Sequence, residues 1–107
     1  MKIIEGGVCA AKGFKAGSVR CGVKESRTND DTAIIFSECE CTAAATYTMN
    51  RVKAAPLYVT MEHLEDGVER AIFANAGNAN ACAPDGMDTA RPMEKAAPKL
   101  LGVSDTE

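Results

Sequence analysis

Runs of apolar residues along the chain predict several strands followed by one helix. Thr32–Ser37 is apolar almost throughout and follows a polar turn, which is typical of a strand buried on both faces. Arg70–Asn75 is likewise predicted as a buried strand. Val19–Lys24 and Thr42–Thr48 are two further predicted strands, the second because small and β-branched residues dominate it. This order of elements predicts an α+β class.

The C-terminal segment Asp85–Gly102 has the length and the Ala, Met, Leu and Lys content of a helix that ends at a glycine. Pro92 and Pro98 oppose this prediction, because a proline inside a helix removes a hydrogen bond and clashes with the preceding turn. Two arrangements stay open. The helix starts near Arg91 and kinks at Pro98, or the segment forms two short pieces.

The central segment is predicted to form short pieces only. Pro56 is expected to prevent a long helix across Lys53–Leu57, since proline has no N–H to donate. Leu57–Thr60 is predicted as a short extended piece. A single helical turn then follows Thr60 and ends at Gly67, because glycine favours a helix C-terminus.

Length and composition predict one small globular domain or part of one. The chain has 107 residues, 46% hydrophobic and 25% charged, and we expect a single partial domain over residues 1–107 without an internal boundary. Its net charge of -3 argues against a nucleic-acid partner, which requires a basic face. Neither Met1–Glu5 nor the uncharged stretch Ala71–Pro84 has the apolar length of a signal peptide or membrane span. We therefore expect a cytoplasmic protein with no membrane partner.

The cysteines match no disulfide scaffold, because they are odd in number and irregularly spaced. Cys39 and Cys41 are expected to share one face of a strand. With a single histidine in the chain they make a poor zinc site, since zinc requires four converging ligands. We interpret the thiols as reduced and mostly buried, and expect no metal site. The five are Cys9, Cys21, Cys39, Cys41 and Cys82.

Candidates for acid–base chemistry are few. His63 is expected on an exposed turn beside Glu62 and Glu65, where it is interpreted as a solvated surface histidine. Asp30 and Asp31 are adjacent acids at a predicted turn and are interpreted as solvated too. We therefore expect none of these side chains to act as a general acid or base.

An unusual feature is an amide-rich loop, Ala74–Cys82, directly after a predicted strand. Asn75, Gly77, Asn78 and Asn80 lie among the smallest residues, so that backbones can approach one another closely. Asparagine tolerates left-handed conformations, and its amide both donates and accepts hydrogen bonds. Such a strand-to-helix loop is typical of anion and oxyanion sites. The alternative is a loop whose amides satisfy its own backbone.

Three blocks resemble one family in order along nearly the whole chain. Gly6–Phe14 resembles the family's G-G-V-T-A-P-K-G-F opening, with Cys9 and Ala11 departing from it. Thr42–Pro56 is similar to T-A-A-G-V-F-T-T-N-R-V-K-A-A-P, and Asn75–Cys82 to N-S-G-N-A-N-A-C. These motifs are those of the ornithine acetyltransferases, also called glutamate N-acetyltransferases, of arginine biosynthesis.

This resemblance implies a multifunctional acyltransferase of amino-acid biosynthesis. Family members move acetyl from N-acetylornithine to glutamate through an acetylated threonine, and some also use acetyl-CoA as a substrate, so no cofactor is expected. Their precursor cleaves itself autocatalytically into an α and a β chain. The implied fold is the N-terminal portion of the DmpA/ornithine acetyltransferase-like fold, a two-sheet sandwich covered by helices, in which the last helix is continuous.

The family's catalytic motifs have no counterpart in this chain. Its oxyanion motif, S-T-G-V-I-G, follows the segment that matches Leu100–Glu107, and the A-T-M-L motif with the nucleophile lies further on. The resemblance therefore implies the first part of an α chain, with no catalytic residue and no activity alone. Expected partners are the remainder of the α chain, the β chain, glutamate and N-acetylornithine, in a hetero-oligomer. The amide-rich loop is expected to support the oxyanion segment.

Two other interpretations stay open. The absence of every catalytic motif also fits a non-enzymatic α+β binding or assembly protein, or an inactive remnant, on the same scaffold. The cysteines leave open a metal or redox module.

Overall fold

The computed structural model describes residues 3–23 and 28–102, which form two compact units. The first lies within Met1–Cys41 and Arg70–Asn78, and the second within Thr42–Glu69 and Ala79–Glu107. No single break in the sequence separates the units, because the chain passes between them more than once. The expectation of one partial domain without an internal boundary stays a prediction.

A three-stranded antiparallel sheet has the strand order β1-β2-β3. In the first pair, Phe14 lies opposite Ser37 and Val19 opposite Thr32. A short 3-10 helix precedes the sheet. The bounds are Gly7–Ala10 for the 3-10 helix, Phe14–Val19 for β1, Thr32–Thr42 for β2 and Val68–Asn75 for β3. With the two helices described below, this confirms the α+β class.

The two apolar runs predicted as strands are confirmed, and both strands are longer than predicted. The predicted burial is wrong for both strands. In β2 the side chains from Thr32 to Phe36 are half-buried and only Ser37 is buried, and in β3 the residues from Arg70 to Asn75 are half-buried or exposed. The first predicted strand is also wrong, because β1 ends at Val19, where the prediction starts. Past Val19 the chain turns, and Gly22 has a φ of 79°. Lys24, the last residue of that prediction, lies outside the described residues.

The strand predicted at Thr42–Thr48 is wrong, because β2 ends at Thr42 and residues 43–48 are irregular. Their small and β-branched residues are compatible with a strand, but a strand also needs a partner for its backbone groups. The Ala43 N–H donates to the carbonyl of Gly67 at 2.9 Å, and β3 begins only at Val68. Beyond Ala43 the backbone therefore has no partner strand with which to continue the hydrogen-bonded pairing.

Two helices form the second unit: α1 spans Ala55–His63 and α2 spans Gly86–Leu101. The extended piece at Leu57–Thr60 and the late helical turn after Thr60 are therefore wrong. Pro56 lies in the first turn of α1. Backbone N–H groups in the first turn have no acceptor within the helix, so a proline there costs no helical hydrogen bond. No helix crosses Lys53–Leu57, as predicted, but Pro56 lies at a position that favours the start of α1.

Helix α2 is continuous through Pro92 and Pro98, which contradicts both interrupted arrangements. A proline inside a helix costs about 3 kcal/mol relative to alanine, so other contacts have to offset this cost. Arg91 and Glu94, on either side of Pro92, form ion pairs with α1. At the other end, Gly102 takes a left-handed conformation and donates its N–H to the carbonyl of Pro98.

The apolar core of the described residues is small. Ala55 and Val59 of α1 are its buried hydrophobic residues, at 8% and 9% exposure. A Cβ placed on Gly86 would lie 3.1 Å from the Cβ of Ala55, so glycine permits the close approach of α2 to α1. Within residues 3–23 and 28–102, neither helix is both long and apolar enough to cross a membrane.

Candidate functional site

The amide-rich loop begins with the last two residues of β3 and leads towards α2, where a strand-to-helix connection is predicted. Asn75 ends β3 and is half-buried, Gly77 has a φ of 128°, and Asn78 is exposed. These three residues belong to the first unit, whereas the half-buried Asn80 belongs to the second. The structure therefore does not bring the four candidates together within one unit, and their supporting role stays a prediction.

Asp31 holds the start of this loop and a turn of the first unit. Its side chain is buried, and its two oxygens accept the N–H groups of Cys21 at 2.7 Å and Val23 at 2.8 Å. Its own N–H donates to the carbonyl of Val19 at 3.2 Å. Its carbonyl accepts the N–H of Ala76 at 2.8 Å, directly after β3. One residue thus connects β1, the following turn and the loop.

The prediction of a solvated acid at position 31 is wrong. Because both carboxylate oxygens accept backbone hydrogen bonds, Asp31 is an anchor and not an exposed acid. The neighbouring Asp30 is exposed as predicted, and accepts the hydroxyl of Ser18 at 2.5 Å. Which of two adjacent acids faces inward depends on the turn, and the sequence contains no signal that distinguishes them.

An open pocket of about 400 Å³ lies in the second unit. Asn80 contributes to its wall from the amide-rich loop, and Lys53 and Asp88 add one positive and one negative charge. Cys82 also lines it and has a φ of 60°, unusual for a residue with a side chain. Of the four predicted loop residues, only Asn80 lines this pocket.

An ion-pair cluster joins α1 to α2. His63 Nε2 lies 2.5 Å from Glu94 Oε1, and the Arg91 guanidinium contacts Glu62 at 2.5 Å and Glu94 at 3.4 Å. His63 is exposed as expected, but it pairs with a carboxylate and is not simply solvated. Burial opposes ionisation of Glu94, but the hydrogen bonds and charges of His63 and Arg91 outweigh it and lower the pKa of Glu94.

This lowered pKa predicts a pH-dependent stability of the helix pair. A carboxyl group with a lower pKa in the folded state stabilises the fold above its unfolded pKa of about 4.3, and this stabilisation is lost as the pH falls through the folded value. We expect the free energy of unfolding, measured by urea titration, to decrease with acidification below about pH 5. Glu94→Gln should flatten part of this slope, whereas the exposed Glu65→Gln should not. Identical slopes for both variants would contradict the prediction.

The interpretation of the cysteines as mostly buried is wrong. Cys41 is half-buried, and the other four are exposed and free. In the described part of the chain, no group of three or more His, Cys, Asp or Glu side chains could hold a metal ion. The reason for expecting buried thiols was the low aromatic content, which says nothing about the face on which each cysteine lies.

Comparison with known proteins identifies the family. A family model described as the ArgJ family matches residues 15–107. The whole chain is 39% identical to the arginine biosynthesis bifunctional protein ArgJ of Caldanaerobacter subterraneus subsp. tengcongensis, and 40% identical to the glutamate N-acetyltransferase of Methanocaldococcus jannaschii. It covers 26% and 25% of those proteins. The chain thus spans about a quarter of the length of these curated relatives.

Two crystal structures share the fold. The arginine biosynthesis bifunctional protein ArgJ of Bacillus halodurans matches 94% of this chain and 53% of its own, with a TM-score of 0.85 and 38% identity. The ornithine acetyltransferase of Mycobacterium tuberculosis, complexed with ornithine, matches 90% and 50%, with a TM-score of 0.80 and 40% identity. Both agree with the resemblance of the three sequence blocks. The chain belongs to the ArgJ family.

Proposed function

We propose that this chain is the N-terminal part of an acetyltransferase of arginine biosynthesis that moves an acetyl group from N-acetylornithine to glutamate. The observation that carries the proposal is the match of the whole chain, at 39% and 40% identity, to proteins named for arginine biosynthesis and for glutamate N-acetylation. The fold agrees, since an ornithine-bound acetyltransferase superposes with a TM-score of 0.80.

Under this proposal the present residues form scaffold, and the reacting groups come from elsewhere in the enzyme. Three candidate acid–base groups support this division, because Asp31, Glu94 and His63 are engaged in hydrogen bonds or ion pairs. A threonine nucleophile and its oxyanion donors are then supplied by the remainder of the α chain and the β chain, in a cytoplasmic hetero-oligomer. Acetyl-CoA serves as a second acetyl donor under the same proposal.

A chimera tests the proposal. Residues 1–107 replace the corresponding N-terminal segment of the Methanocaldococcus jannaschii relative, and transfer of labelled acetyl from N-acetylornithine to glutamate is measured. We expect the chimera to catalyse the transfer and the 107-residue chain alone to be inactive. Transfer by the isolated chain, or a folded chimera without activity beside an active parent, would contradict the proposal.

The same chimera tests the predicted role of the amide-rich loop. If Asn78 supports the oxyanion segment, Asn78→Ala should lower kcat more than it changes KM, by about tenfold for the loss of one stabilising hydrogen bond. Asn29→Ala is the matched control, since Asn29 is an exposed asparagine of the first unit outside this loop. Unchanged turnover in Asn78→Ala would exclude that role for Asn78.

A further inference from the structure

Lys53 brings an unneutralised positive charge to the pocket of the second unit. It is half-buried in the pocket wall, and its ammonium group forms no ion pair or hydrogen bond with any of the described residues. By contrast, His63 and Arg91 of the same unit are paired with carboxylates. Because removing a charge from water is unfavourable unless it is paired, a negatively charged group that enters the pocket would be attracted to Lys53.

The backbone around Lys53 is fixed on both sides. Before it, the N–H of Asn50 donates to Thr48 Oγ1 at 3.2 Å, and the N–H of Val52 donates to Asn50 Oδ1 at 3.0 Å. After it, α1 begins at Ala55, which is buried. A side chain that projects from a fixed backbone loses less conformational freedom when it binds a ligand. Lys53 is therefore held in place at the pocket before a ligand arrives.

The charges of the wall indicate which kind of ligand it favours. Lys53 and Asp88 contribute one charge of each sign, so the wall has no net charge with which to attract a polyanion such as a phosphate ester. An amino acid carries a single α-carboxylate, which accepts strong, charge-assisted hydrogen bonds from an ammonium group. Val52, Tyr58 and Met87 add apolar surface to the same wall, against which the methylene groups of an amino acid can pack.

We propose that this pocket is part of the substrate site and that Lys53 binds the α-carboxylate that glutamate and N-acetylornithine have in common. The inference rests on the proposed function and adds a substrate-binding residue to it. Asn80 supports the placement, because it lines the pocket and belongs to the amide-rich loop, which is predicted to support the oxyanion segment. Lys53 donates hydrogen bonds to the carboxylate, and no proton or acetyl group passes to it.

The test is a calorimetric titration of glutamate into the chimera described above, without an acetyl donor. Binding is then measured whether or not the chimera catalyses transfer, so that this proposal and the proposed function can fail separately. We expect Lys53→Gln to raise the dissociation constant of glutamate about tenfold or more, because it removes hydrogen bonds to a charged group. Lys53→Arg keeps the charge and should retain most of the affinity.

Lys95→Gln is the matched control, since Lys95 is an exposed lysine of the same unit outside the pocket wall. We expect it to bind glutamate like the parent chimera, and far-UV circular dichroism verifies that each variant keeps the parent's structure. A parent chimera that does not bind glutamate, or equal affinities in the parent and Lys53→Gln, would overturn the proposal. An equal loss in Lys95→Gln would also overturn it, because the effect would then come from net charge alone.

The α-amide of glutamate gives a second measurement that a merely structural role of Lys53 would not affect. This analogue lacks the negative charge of the α-carboxylate, so the parent chimera should bind it more weakly than glutamate. In Lys53→Gln the preference for glutamate over its α-amide should largely disappear. An undiminished preference in that variant would show that another group binds the carboxylate, and would overturn the assignment to Lys53.

Discussion

Replacing Asp31 by alanine is expected to destabilise the chain by about 3 kcal/mol or more, since hydrogen bonds to a charged acceptor contribute about 1.5–3 kcal/mol each. The carboxylate accepts hydrogen bonds from the N–H groups of Cys21 and Val23. Asp31 is only 5% exposed, so its side chain is shielded from water. Without it, both donors lose their partner and the turn after β1 loses its connection to β2. The measurement is the free energy of unfolding from urea titration followed by circular dichroism.

Two variants distinguish this anchoring role from the mere loss of one negative charge. Asp31→Asn keeps the shape and one acceptor oxygen, so it should fall between the wild type and Asp31→Ala. Asp30→Ala removes the adjacent exposed acid and its hydrogen bond from Ser18, and should cost less than about 1 kcal/mol, as expected for a surface position. Equal losses for Asp30→Ala and Asp31→Ala would contradict the assignment of Asp31 as the anchor.

The same anchor explains why the first strand could not be located from the sequence. Residues 32–37 and 70–75 were predicted correctly because apolar runs mark strands locally. The limits of β1 depend on a tertiary contact, since Asp31 holds the turn that begins after Val19. No local pattern in Phe14–Val19 encodes that contact.

The helices show a second limit of local patterns. Pro56 has the same chemistry as Pro92, but its effect depends on whether it lies in the first turn of a helix or in its interior. The sequence pattern did not indicate that α1 starts at Ala55, so Pro56 was interpreted as a residue that interrupts a helix. In α2 the ion pairs of Arg91 and Glu94 with α1 come from residues 29 and 31 positions away, beyond any local window.

The place of the amide-rich loop in the fold was predicted, whereas the residues around it were not. The amide-rich loop was predicted as a strand-to-helix connection, and it is one. Asp31, whose backbone anchors the start of this loop, was interpreted as an ordinary surface acid, but it is buried. The sequence could not show this, because burial of a polar side chain depends on the fold and not on residue type. The three family blocks identified the family where physical patterns alone left several functions open.

The isolated chain is expected to self-associate at micromolar concentrations, because much of its apolar surface has no covering partner within the described residues. Ile72 of β3 is 63% exposed and Leu100 of α2 is 84% exposed, whereas Ala55 and Val59 are the only buried hydrophobic residues in the part of the chain that the structure describes. β1 and β3 are the outer strands of the sheet, and uncovered strand edges pair readily with another chain. Sedimentation velocity should therefore show dimers or larger species that increase with concentration.

A pair of lysine substitutions tests whether the sheet drives this association. Ile72→Lys places a charge on an outer strand and should raise the dissociation constant about tenfold or more, because burying one isoleucine side chain contributes about 1.5–3 kcal/mol. Met49→Lys is the control: Met49 is 99% exposed, but lies in the irregular segment after β2, so the same charge there should leave association unchanged. A monomer with a sharp cooperative melt at every concentration would show that the chain needs no further polypeptide to cover its sheet. Equal effects of the two lysines would show that net charge, and not the sheet, controls association.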